Sequence, residues 1–87
     1  MDREEIMKEL KELQARENLQ DIIRAFEGVP ICILMCELSI TSIEEMHTEI
    51  LGLRNAGKIK SRHLISETLD IKREGLSFLS TGIKLVE

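Results

Sequence analysis

Eighty-seven residues, 43% hydrophobic and 32% charged, describe one globular domain that can bury a modest core without obligatory disulfides or metal. Phe26 and Phe78 are the only aromatic residues, so the core is aliphatic and the ring platforms that bind single-stranded nucleic acid are missing. The formal net charge of -4 hides a split: residues 1–50 carry five Lys or Arg against twelve Asp or Glu, and residues 51–87 carry seven against four, which confines attraction for a polyanion to the second half.

The first segment, Asp2 to Glu27, has no Gly or Pro and is rich in Glu, Lys, Leu, Gln and Ala, a helix-forming composition. Its apolar stripe changes face. Ile6, Leu10 and Leu13 share one side, whereas Leu19, Ile22, Ile23 and Phe26 share another, rotated by more than a quarter turn. Asn18, three residues before Asp21, sits where a new helix would be capped. The pattern fits two short helices, or one helix whose halves meet different partners. The Ile6/Leu10/Leu13 stripe is accordingly a dimerisation surface or a cover for the chain's own core. Gly28 then supplies a helix stop, with Pro30 just beyond.

Val29 to Leu38, "VPICILMCEL", is a continuous apolar run that periodicity cannot assign. Pro30 in a first turn favours helix, and the β-branched Val29, Ile31 and Ile33 favour strand. Cys32 and Cys36 lie inside this run and are expected to be buried packing residues. With His47 and His63 they do not make a recognised ligand spacing, so no metal is expected. Ser42 and Glu45 match a capping box that opens a helix. Ile43, Met46, Ile50 and Leu53 form its inner face, with His47 at the margin. Glu44, Glu45, Thr48 and Glu49 form the outer face. Gly57 ends the helix. "KIKSRHLI" reads as a strand with His63 exposed, and "TLDIKREGLSFLS" as a hairpin turning at "REG". "TGIKLVE" is a closing strand or the start of a helix.

The segment Pro30 to Leu38, the short "SIT" turn, the helix from Ser42 and the run "LRNAGKI" leading into a strand and hairpin resemble the winged helix-turn-helix family. Leu53, Gly57 and Ile59 match the way its recognition helix closes before the first wing strand. The resemblance covers about Leu19 to Phe78 and favours helix over strand for Pro30 to Leu38. It implies an α+β domain of three or four helices followed by a two- or three-stranded antiparallel sheet. Residues 1–17 would be a helical extension of the kind that dimerises, and residues 18–87 the core of a single domain.

Two functions from different classes follow. The first is a small DNA-binding transcriptional regulator, a homodimer that contacts double-stranded DNA through its basic first strand and wing. Arg54, Lys58, Lys60, Arg62, His63, Lys72 and Arg73 would meet phosphate. The helix that would enter the major groove carries three carboxylates, the wrong charge for that task. The second is a protein-interaction module whose Glu44, Glu45 and Glu49 meet a basic partner, with Ile6, Leu10 and Leu13 as a further contact. There is no Gly-rich phosphate loop, nucleophile elbow or HExxH, so no enzyme activity, catalytic residue or cofactor is expected. The charged opening "MDREEIMKEL" lacks the apolar centre of a secretory leader and no stretch reaches about 18 apolar residues, which implies a cytoplasmic, membrane-free location.

Overall fold

In the computed structural model, which describes residues 2–87, helices alternate with three short strands: α1 (Arg3–Ala15), α2 (Gln20–Phe26), β1 (Val29–Pro30), α3 (Ile31–Leu38), α4 (Ile43–Asn55), β2 (Ile59–Ser61), α5 (Ile71–Leu79) and β3 (Gly82–Leu85). The strands form one antiparallel sheet in the order β1-β3-β2. This is a small α+β domain in which the last strand is inserted between the first two.

Asp2 caps α1, its carboxylate accepting from the Glu4 amide at 3.0 Å, with Glu4 and Glu5 in the first turn where the helix dipole favours them. The chain breaks at Arg16, whose extended backbone leads into a single 3-10 turn, Glu17–Leu19, and then α2. Asn18 does not cap the new helix. Gln20 spans the break instead, its amide nitrogen donating to the Gln14 and Arg16 carbonyls at 3.0 and 2.8 Å. Two helices are therefore present, as one of the two sequence readings held.

The Ile6/Leu10/Leu13 stripe is fully buried within the chain itself, where α1 packs on α3, β1 and β3. The expectation of a dimerisation surface on these three residues is corrected by that burial: they are the centre of the core. Residues 1–17 are likewise an integral layer rather than an appendage. Gln14 extends the tie, its side-chain oxygen accepting from the Leu85 amide at 2.8 Å.

The ambiguous apolar run is both strand and helix. Val29 and Pro30 pair with Ile83 and Gly82 at the sheet edge, where a proline's missing N–H does no harm. Pro30 then stands at the cap of α3. Ile31, Leu34 and Met35 face the core. Cys32 and Cys36 are exposed, contrary to the expectation of burial, because their spacing of four places them together on the opposite side of the helix. Arg16 ties this helix to α1 by pairing with Glu37 at 3.1 Å, and that hydrogen-bonded carboxylate raises the guanidinium pKa above its ordinary value.

Ser42 caps α4 as expected, accepting from the Glu45 amide at 3.1 Å, and Met46, His47, Ile50 and Leu53 are buried. Gly57 closes the helix end at φ 72°, a left-handed conformation that glycine adopts without strain. The expected hairpin between Leu69 and Phe78 is absent. Asp70 instead caps α5, accepting from the Arg73 amide at 3.4 Å, and Ile71, Gly75 and Phe78 follow at helical spacings of four and three. "REG" lies within the helix, and Gly75 is buried there. The closing strand is β3. Among the described residues no helix is long and apolar enough to cross a membrane.

Candidate nucleic-acid interface

The basic residues of the second half fall into three groups. Arg54, half-buried on the last turn of α4, is committed to the fold. It donates to the Ile65 carbonyl and pairs with Glu67 at 2.8 Å, pinning the loop that follows β2. His47 holds the same loop from the core side, with Nε2 donating to the Ser66 carbonyl at 2.7 Å and its ring edge-on to Phe78 at 5.4 Å. His47 is only 7% exposed, so its role is structural.

The second group lies on the sheet. Lys60 and Lys84 are direct Cα partners across β2 and β3, so they emerge on one face, opposite to that of the buried Ile59 and Ile83. Lys58 and Arg62 flank the strand. Arg62 pairs with Glu27, from the end of α2, at 3.2 Å. His63 is exposed beside it, its carbonyl accepting from the Ser61 hydroxyl. Two adjoining clefts open here, of about 180 and 330 Å³, and both are lined by Lys60 and Lys84.

Lys72 and Arg73 form the third group. They are exposed on the first turn of α5 rather than beside a hairpin turn, and Arg73 lies 4.0 Å from Asp70. The structure thus brings Lys58, Lys60 and Arg62 to one strand and its ends. It places Arg54 in a structural role and Lys72 and Arg73 on a separate helix.

All six arginines are engaged in ion pairs, whereas among the described residues no lysine is. Free positive charge on the sheet is therefore lysine charge. Lys84 is the residue sequence reading passes over. Its strand phase is legible in "GIKLVE", but its position opposite Lys60 depends on β3 lying beside β2.

On α4, Glu44, Glu45 and Thr48 are exposed as expected, and Glu49 is bound by Arg3 at 3.1 Å. The Cys32, Cys36, His47 and His63 set is not assembled; among the described residues no three His, Cys, Asp or Glu side chains are grouped to hold a metal. No protein-family model, curated protein or solved structure matches the chain.

Proposed function

We propose that the chain is a small DNA-binding regulator built like a winged helix in which the basic sheet, not the recognition helix, makes the principal contact. The observation that carries this reading is the set of lysines on and beside β2 and β3 that have no acidic partner, in a chain that neutralises every arginine. Part of the element order supports it: two helices, α3 and α4, joined by a four-residue turn, lead into β2, which pairs antiparallel with β3, with β1 on the far side of β3. The helix α5 stands between β2 and β3, where a winged helix has its hairpin. The exposed Glu44 and Glu45 at the start of α4 repel phosphate and direct the duplex toward the lysines.

Such a complex is driven by counterion release. Fluorescence anisotropy on a duplex of mixed sequence is expected to show an affinity that falls steeply with salt, and Lys60→Gln weakens it across sequences and reduces the slope by about 1. Absence of binding at low salt overturns the reading. The homodimer expected of such a regulator needs a face other than α1. Leu64 and Leu76, 90% and 85% exposed, are the apolar side chains most available to it.

A second reading, an adaptor for a basic protein partner, is favoured by one observation. Glu44 and Glu45 form no ion pair among the described residues. Nuclease-resistant binding of a basic partner that is lost in Glu44→Lys/Glu45→Lys would favour it over the DNA reading.

A further inference from the structure

We infer that the cleft between α2 and the outer face of β2 and β3 is a phosphate site, with Lys60 and Lys84 as its paired cations and Glu27 as a built-in competitor that holds Arg62. This deepens the reading above. The phosphate's source rests on that reading, whereas the site itself does not.

Like charges directly opposite one another destabilise a sheet, yet the β2/β3 register sets Lys60 against Lys84. Neither lysine has a carboxylate partner among the described residues. The repulsion is left for something outside the chain to relieve. The surface there is also concave, because both lysines line both adjoining clefts. The charged groups facing this space are Lys60, Lys84 and Arg62 against Glu27 and Glu87, and Glu87 lines only the larger cleft. The smaller cleft therefore has three cations and one carboxylate.

That carboxylate is already engaged. Glu27 pairs with Arg62 at 3.2 Å from a left-handed backbone position, φ 55°, that non-glycine residues seldom occupy. An incoming anion competes with Glu27 for Arg62, so neutralising Glu27 strengthens the site. The chemistry favours phosphate over carboxylate. Two ammonium groups beside one guanidinium, against a single carboxylate, match a multiply charged, several-oxygen anion better than a singly charged carboxylate.

The test uses the full chain and thermal unfolding in sodium phosphate or pyrophosphate, against sodium chloride of equal ionic strength. Both phosphates are expected to raise the wild-type Tm beyond chloride. Lys84→Gln should weaken their binding about tenfold while leaving the Tm in chloride equal or higher, since it removes the cross-strand repulsion. Glu27→Gln should strengthen binding several-fold, and Lys8→Gln on α1 should leave it unchanged. Equal effects of phosphate and chloride on the wild type, or full retention of the phosphate effect in Lys84→Gln, overturn the proposal. If Lys84→Gln lowers duplex-DNA and phosphate affinity together, the nucleic-acid backbone supplies the group. If phosphate binding is lost on Lys84→Gln but the wild type binds no duplex, the site stands with a free phosphate or small phosphoester as its ligand, and the DNA reading falls.

Discussion

Ser39 and Gly82 show how much a single Cβ decides in a chain this small. Ser39 ends α3 at φ 57°, where its Cβ crowds the backbone, while its amide donates to the Cys36 carbonyl at 3.2 Å. Ser39→Gly is expected to stabilise the fold by about 0.5–1 kcal/mol, the relief of left-handed strain offset in part by added freedom in the unfolded chain. Gly82 is the opposite case: a Cβ there would overlap the Phe26 carbonyl, a backbone group that cannot swing away. Gly82→Ala should cost about 3 kcal/mol. Urea unfolding of the two variants checks both signs, and a Gly82→Ala protein as stable as the wild type would contradict this account of the β1–β3 junction. Gly28 has the same reason for being glycine, since it stands at φ 151° with Ile83 backbone atoms within 2.6–2.7 Å of where a Cβ would lie.

Among the elements, α5 separates what local patterning conveys from what it conceals. Leu69 and Ile71 alternate as a strand would, but Ile71, Gly75 and Phe78 also follow a helical stripe, and so short a segment satisfies both periods. The deciding signal is Asp70, three residues before Arg73, whose carboxylate accepts the orphan amide of the first turn. Asp70→Ala should destabilise the protein by about 1 kcal/mol, a fall in Tm of about 4–8 °C for a domain of this size, with loss of far-UV helical signal preceding the main transition. No change in either would mean that Phe78 and Leu79 alone hold α5. By contrast α4 is read correctly from its cap to its closing glycine, because Ser42, the inner face and Gly57 all agree. Cys32 and Cys36 face solvent on α3, a placement that a continuous apolar run does not reveal because it carries no mark of which side faces water.

At the scale of the whole molecule, the burial of α1 changes the meaning of the N-terminal stripe. Leu10 has no exposed surface, and it sits in one cluster with Ile31, Leu34, Ile50 and Ile83 from three other elements. Leu10→Asp should therefore unfold the chain, because an unpaired carboxylate placed there outweighs much of the total stability of about 4–13 kcal/mol expected for 87 residues. On a dimer face the same change would leave a folded monomer, so circular dichroism with sedimentation distinguishes the two. The charge distribution is likewise a property of the whole. The acidic first half supplies Glu27 to Arg62, and the second half supplies Glu67 to Arg54 and Asp70 to Arg73, so the arithmetic split along the chain is partly neutralised in space. Of the seven basic residues of the second half, the three arginines are paired, and the four lysines, Lys58, Lys60, Lys72 and Lys84, have no ion pair among the described residues.

The amino-acid order by itself determined the helix-rich first half, the caps at Ser42 and Gly57, the acidic outer face of α4 and the basic character of β2. These depend on neighbours within a few residues, where propensity and periodicity act directly. Only the tertiary structure decided that Ile6, Leu10 and Leu13 point inward, that Arg54 is a staple for the following loop, and that Lys84 stands opposite Lys60. Each of these joins residues from distant parts of the chain. They are set by the packing of α1 across α3 and the sheet, and by the insertion of β3 between β1 and β2, neither of which leaves a mark on local sequence.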